Sequence, residues 1–170
     1  ATLWAPNYGS GYPYLGGAYA ATRGGRDWTI LDTNRDGVID MHDDPYAPYY
    51  PGDDAVDWVG MSIYHWGYEY PWGENLLPEP NKLVAQLTGT YATPHSDERT
   101  LPNFYRIYAE QHAKPMAIPE TAAFYRPGGR GADEYDIKRG WLQQILGGEL
   151  TRQFPRIKLI NWFEWVKFEN

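Results

Sequence analysis

The stretch Lys114-Pro115-Met116-Ala117-Ile118-Pro119-Glu120-Thr121 decides how the rest of the chain is read. A basic residue and a proline open a short apolar run, and a carboxylate closes it. Proline is tolerated at the first residue of a strand. Alternation with period two places Met116, Ile118 and Glu120 on one side. The run reads as a buried strand that ends on a residue able to do chemistry.

Three other runs have the same form. Thr2 to Pro6 leads into Asn7-Tyr8. In Val56 to Tyr64, the residues Val59, Met61 and Ile63 alternate with Gly60, Ser62 and Tyr64. The last is Ile157 to Trp165. Helical patterns lie between them. Leu101, Phe104, Tyr105 and Tyr108 recur at i, i+3, i+4 and i+7, with Thr100 as the expected N-cap. Ile137, Trp141 and Ile145 recur at i, i+4 and i+8 and are stopped by Gly147-Gly148. A shorter helix is expected from about Asn81 to Leu87.

Strands alternating with helices predict a parallel sheet with helical crossovers, whose chemistry gathers at the carboxy-terminal strand ends. A whole (β/α)8 barrel needs about 250 residues, and this chain has 170. The expected fold is therefore α/β: the carboxy-terminal half of a (β/α)8 TIM-type barrel, about four βα units forming one partial domain over residues 1–170. A complete small α/β domain is the alternative.

Composition narrows the partners. Eight Trp and fifteen Tyr sit mostly beside Gly, Pro or Asn, and loops rich in rings offer flat faces that suit the apolar side of a pyranose. A net charge of −7 without a basic cluster disfavours nucleic acid and anionic membrane. No apolar run approaches the length of about 20 residues that a membrane helix requires. Cysteine is absent, which excludes disulfides, thiol catalysis and cysteine-ligated zinc and leaves the compartment open.

Four segments carry a likeness to a known family: Trp4-Ala5-Pro6-Asn7, Tyr50-Pro51-Gly52-Asp53-Asp54 with Val56-Asp57-Trp58-Val59-Gly60, Lys114 to Thr121, and Asn161-Trp162-Phe163. In that order they resemble consecutive strand-end motifs of family 26 glycoside hydrolases. The resemblance implies a secreted, extracellular, retaining glycosidase. Members act mostly on β-mannan, and some on mixed-linkage glucan or xylan. The expected partner is a polysaccharide or oligosaccharide, mannan first.

The same resemblance implies Glu120 as the nucleophile, attacking the anomeric carbon to give a covalent glycosyl-enzyme. It implies Tyr64 as the tyrosine that orients that carboxylate, and Trp162 as the floor beneath the cleaved sugar. Asn7, His65, Trp66, Trp165 and Trp72, the last within Tyr70-Pro71-Trp72-Gly73, are the further expected substrate-binding residues. Plainer readings stand beside these: a helix-capping Glu120, a core Tyr64 and an ordinary barrel aromatic at Trp162.

One part of the family's pattern is missing. Its general acid/base is a Glu within His-Glu-x-Asn-Gly, and no such segment occurs. Glu110 falls in a helical pattern, and Glu164 and Glu169 fall in the last strand region. Retaining hydrolysis needs two carboxyl groups about 5–5.5 Å apart. The expectation is that an upstream segment or a second chain completes the barrel and supplies the other carboxyl, and that this chain alone is inactive. A non-catalytic, lectin-like carbohydrate-binding protein with a structural calcium site is the alternative.

A second motif lies between the first two strands. In Asp32-Thr33-Asn34-Arg35-Asp36-Gly37-Val38-Ile39-Asp40-Met41-His42-Asp43, oxygen-bearing side chains stand at positions 1, 3, 5, 9 and 12, with Gly at 6 and an aliphatic residue at 8. This is EF-hand spacing in the variant with Asp at the last position, as in dockerin modules. The expected cofactor is Ca2+, held by Asp32, Asn34, Asp36, the Val38 carbonyl, Asp40 and Asp43. Pro45 and Pro48 follow closely, so flanking helices are not expected and the role reads as structural. An ion-free Asp/Asn/Gly-rich turn is the plainer reading.

Overall fold

The computed structural model describes residues 1–9, 20–67 and 74–166. Four strands, β1 (Leu3–Trp4), β2 (Trp58–Gly60), β3 (Met116–Thr121) and β4 (Ile157–Trp162), form one sheet in the order β1-β2-β3-β4. Every neighbouring pair is parallel. Bridges from Asn7 to Ser62 and from His65 to Ala123 carry the pairing past the strand ends.

Helical crossovers make the parallel order possible. Helix α1 (Arg26–Leu31) and a 3-10 turn (Ala47–Tyr49) separate β1 from β2. Helix α2 (Lys82–Thr88) and a π-helix (Tyr105–Gln111) separate β2 from β3. Helices α3 (Glu134–Leu146) and α4 (Gly148–Gln153) separate β3 from β4. The fold is α/β on a four-stranded parallel sheet. No helix among the described residues is long and apolar enough to cross a membrane.

The core lies between the sheet and these helices. Val59, Met61 and Ile63 are fully buried in a cluster with Leu83 and Leu87 of α2, Phe104, Tyr105 and Tyr108, and Ile137, Trp141 and Ile145 of α3. The i, i+4, i+8 stripe of α3 is thus the face it buries. Its N-cap is Asp133, whose Oδ1 accepts the Asp136 N–H at 2.9 Å. The other face of the sheet is lined by Leu3, Gly60, Ala117 and Leu159. A Cβ at Gly60 would come within 2.8 Å of the Ala117 carbonyl oxygen, while Leu3 and Leu159 remain 45% and 42% exposed.

Strand β3 departs from simple alternation at the residue that matters most. The Met61 N–H donates to Ala117 O and the Ile63 N–H to Glu120 O, so two residues of β2 span three of β3. On the other side Ile118 pairs with Ile160 and Thr121 with Trp162, again three against two. The extra residue is a bulge around Pro119, which has no N–H to lose from the ladder. It reverses the facing of everything after it. Met116 and Ile118 point into the helix-side core, and so does Thr121, whose Oγ1 accepts the Trp141 indole N–H at 2.8 Å. Glu120 does not share their side, as period two predicts; it turns to the opposite one.

Two helix boundaries also differ from expectation. The turn before the π-helix is capped by Asn103, whose Oδ1 accepts the Arg106 N–H at 2.9 Å, and not by Thr100. Leu101 is buried outside the helix, and its carbonyl lies against Gly89, the left-handed cap of α2 (φ +67°), where a Cβ would meet Leu101 O at 2.3 Å. Tertiary contact, not helical periodicity, buries that leucine. Helix α1 leads directly into the acidic loop, where no flanking helix is expected from the prolines.

Candidate active site

The bulge in β3 and the end of β2 bring two side chains together across 56 positions of sequence. Tyr64 Oη donates to Glu120 Oε2 at 2.6 Å. Burial, then the hydrogen bond and charge of Glu120, push the Tyr64 hydroxyl above the ordinary phenol range. It therefore stays protonated at neutral pH and remains a donor. Glu120 lines the cleft, and its Oε1 has no hydrogen-bond partner among the described residues.

That cleft has a volume of about 980 Å3. Aromatic rings run along its wall on both sides of Glu120. Phe124 lies 5.2 Å from Trp66, Trp66 lies 5.7 Å from Tyr64, Tyr64 lies 6.4 Å from Phe163, and Phe163 lies 6.1 Å from Trp165, centroid to centroid. The strand ends place these rings: Tyr64 and Trp66 follow β2, Phe124 follows β3, and Phe163 and Trp165 follow β4. Such a run of apolar faces around a carboxylate suits a ligand that is flat, apolar on its faces and hydroxylated at its rim.

Asn7, Tyr64, Trp66, Glu120 and Trp165, of the residues singled out by sequence, line the cleft. Trp72 lies outside the described residues. His65 and Trp162 do not line it. His65 is 1% exposed and sits beneath the wall. Its Nε2–H donates to Leu76 O at 2.7 Å, and its Nδ1 faces Lys82 Nζ at 3.3 Å. Burial, then the Lys82 ammonium, hold the imidazole down at about 4, so it is neutral and structural. The parity of β2 explains the placement: His65 follows Ile63 onto the helix side, with its ring 5.9 Å from Trp141. Trp162 likewise packs against the core, and its indole N–H donates to Glu164 Oε2 at 2.6 Å. Phe163, its neighbour, occupies the cleft.

The other carboxylates on the cleft wall are held elsewhere. Glu134 and Glu164 both accept from Lys138, and hydrogen bonds from Lys138 and Trp162 keep the Glu164 carboxyl below its usual range. Glu98 accepts Tyr8 Oη at 2.5 Å and Ser96 Oγ at 3.2 Å. Nothing in local sequence announces the Tyr8–Glu98 pair, since its members lie 90 positions apart.

In the acidic loop the side chains fold back on backbone amides. Asp32 accepts the Asp36 and Gly37 N–H groups at 3.1 and 3.0 Å, Asn34 accepts Asp36 N–H at 2.9 Å, and Asp36 accepts Val38 N–H at 2.8 Å. Asp43, 1% exposed, closes the loop by accepting from Thr33 N, Asn34 N and Asp40 N. Asp40 accepts from His42. Gly37 takes the left-handed turn at φ +85°. Among the described residues no group of three or more His, Cys, Asp or Glu side chains converges as a ligand set. By donor type the loop fits a hard cation, because its donors are carboxylate, amide and carbonyl oxygens. Met41, within the loop, lines the cleft, and beyond the loop Gly9 N–H donates to Tyr46 Oη at 3.3 Å.

No protein-family model, curated protein or solved structure matches this chain. The functional reading therefore rests on the site's own geometry.

Proposed function

We propose that this chain forms the nucleophile-bearing wall of a glycan-binding cleft in a secreted retaining glycoside hydrolase of the family 26 type, with mannan the first candidate substrate. The observation that carries this reading is the Tyr64–Glu120 hydrogen bond at 2.6 Å, at the ends of adjacent parallel strands and within a run of aromatic faces. Tyr64 fixes Oε2 and leaves Oε1 as the attacking atom. In the reaction a bond forms between Oε1 and the anomeric carbon as the bond from that carbon to the leaving oxygen breaks. The leaving oxygen takes its proton from a general acid, and water later releases the sugar. Asn7, Trp66, Phe163 and Trp165 position the glycan.

The half-barrel architecture belongs to the same proposal. All-parallel sheets are covered on both faces as a rule, and the exposed Leu3 and Leu159 on the second face support further elements packing there, from the same protein or a second chain. Those elements would supply the general acid. In this reading the loop from Asp32 to Asp43 takes structural Ca2+ through Asp32, Asn34, Asp36, the Val38 carbonyl, Asp40 and Asp43, and steadies the cleft through Met41.

One observation favours a second reading, a lectin-like binder without hydrolysis. Glu98, Glu134 and Glu164 are each engaged by other side chains, and none is paired with Glu120. Activity and affinity electrophoresis in mannan, mixed-linkage glucan and xylan separate the two. The hydrolase reading expects Glu120→Ala to abolish hydrolysis by a preparation that has it and to leave retardation in the gel unchanged. Hydrolysis that survives Glu120→Ala removes Glu120 from the mechanism. Retardation without hydrolysis in any preparation favours the binder.

A further inference from the structure

Across the sheet from Glu120 lies a residue that the pairing with Tyr64 leaves unused. The Met61 N–H donates to Ala117 O and the Ile63 N–H to Glu120 O, so Ser62, between them, stands opposite the Pro119-Glu120 bulge. On its other side Ser62 pairs with Asn7 in a parallel bridge. Alternation past the end of β2 puts Ser62 on the face of Gly60 and Tyr64, opposite to the buried Met61 and Ile63. Asn7, Ser62 and Glu120 therefore form one row across neighbouring strands, which lie about 4.8 Å apart. All three line the cleft.

Two members of this row carry polar groups that the fold does not use. The Ser62 N–H donates to Pro6 O at 3.0 Å, and its carbonyl accepts Tyr8 N–H at 2.9 Å. Its Oγ has no hydrogen-bond partner among the described residues, although Ser62 is only 7% exposed. Among those residues, the side-chain atoms that lack a hydrogen bond and are closed off from solvent are Glu79 Oε2 and Gln86 Oε1. Ser62 Oγ is not one of them, so a molecule in the cleft can reach it. The exposed Asn7 amide likewise makes no hydrogen bond among the described residues.

A hydroxyl held in a largely buried position loses most of its water, and a hydrogen-bond partner offsets that loss. Alanine would serve the strand as well, as Ala117 does on the same face of β3. The hydroxyl therefore calls for a partner from outside the fold. Serine and asparagine side chains are uncharged and can both donate and accept, which complements the hydroxyl of a sugar.

We propose that Ser62, together with Asn7, binds hydroxyls of the sugar residue seated against Glu120, through Ser62 Oγ and the Asn7 amide. This inference rests on the carbohydrate reading of the cleft. It adds a sugar-binding residue on the strand between those of Asn7 and Glu120.

The test is calorimetric titration of the chain with mannohexaose, cellohexaose and xylohexaose. At least one hexaose binds the parent, and Ser62→Ala weakens that binding about three- to tenfold. Because Oγ has no partner within the fold, the same substitution leaves the melting temperature unchanged. Ser62→Thr keeps the hydroxyl on a side chain suited to a strand and binds within about twofold of the parent. Asn7→Ala weakens the same hexaose. Binding that Trp66→Ala weakens but Ser62→Ala leaves within about twofold of the parent overturns the role of Ser62 while the carbohydrate reading stands. A loss of affinity in Ser62→Ala that comes with a lower melting temperature marks a structural hydroxyl and also overturns it. If no hexaose binds the parent, both readings fall together.

Discussion

Replacing Tyr64 by Phe removes a single oxygen. The ring keeps its places 5.7 Å from Trp66 and 6.4 Å from Phe163, and the strand end is unchanged. What is lost is the 2.6 Å hydrogen bond to Glu120 Oε2. A hydrogen bond to a charged group contributes about 1.5–3 kcal/mol, and the half-buried position of Tyr64 puts this one in the lower part of that range. If the bond holds the carboxylate in its attacking rotamer, losing about 1.5–2 kcal/mol slows attack about 10- to 30-fold. A 2-deoxy-2-fluoroglycosyl fluoride isolates that step, because fluoride departs without a proton from a general acid and the C2 fluorine slows release of the adduct. Intact-mass measurement over time gives the labelling rate for both proteins. Tyr64→Phe is expected to label about 10- to 30-fold more slowly, with a melting temperature close to that of the parent. Labelling within about twofold of the parent would refute the positioning role of Tyr64.

Three other perturbations test the supporting structure. His65 is held at about 4 when folded and near 6.5 when unfolded, so its contribution is complete above about pH 6.5 and declines toward pH 4, because there the unfolded chain binds the extra proton. Urea unfolding across that window loses up to about 3 kcal/mol, a loss that His65→Gln reduces; an unaltered pH slope in His65→Gln argues against a buried neutral imidazole. For the acidic loop, a chelator lowers the melting temperature of the parent and has no effect on Asp36→Ala. Asp43→Ala costs about 1–3 kcal/mol even without calcium, because it strands the Thr33, Asn34 and Asp40 amides; a parent indifferent to chelator sinks the calcium site. Trp141→Phe leaves the buried Thr121 hydroxyl without its donor and lowers stability by about 2–4 kcal/mol in urea unfolding, whereas a loss under about 0.5 kcal/mol contradicts the role given to that bond.

The sheet was legible because its signals are local. Each strand is a short apolar run between turn residues, and the α3 stripe of Ile137, Trp141 and Ile145 repeats at helical spacing. The pairing of Tyr64 with Glu120 was legible only through resemblance, since no rule of spacing joins residues 56 positions apart. Facing at the strand ends differs from expectation at Glu120, His65 and Trp162, each for its own reason. Alternation counts residues, and the bulge at Pro119 inserts one, so Glu120 leaves the side of Met116 and Ile118. The same parity argument, applied along β2 without a bulge, puts His65 on the core side and would have removed it from the cleft. Trp162 was drawn to the site by its family position, but its ring packs on the core and Phe163 faces the cavity.

If Glu120 is the carboxylate that attacks the sugar, reaction of the chain with a 2-deoxy-2-fluoromannosyl fluoride leaves its mark there, and peptide mapping locates it. One glycosyl unit per chain is expected, with fragment ions assigning it to Glu120 within Met116 to Thr121. A label on Glu98, Glu134 or Glu164, or a chain that stays unlabelled while binding mannohexaose, would contradict it.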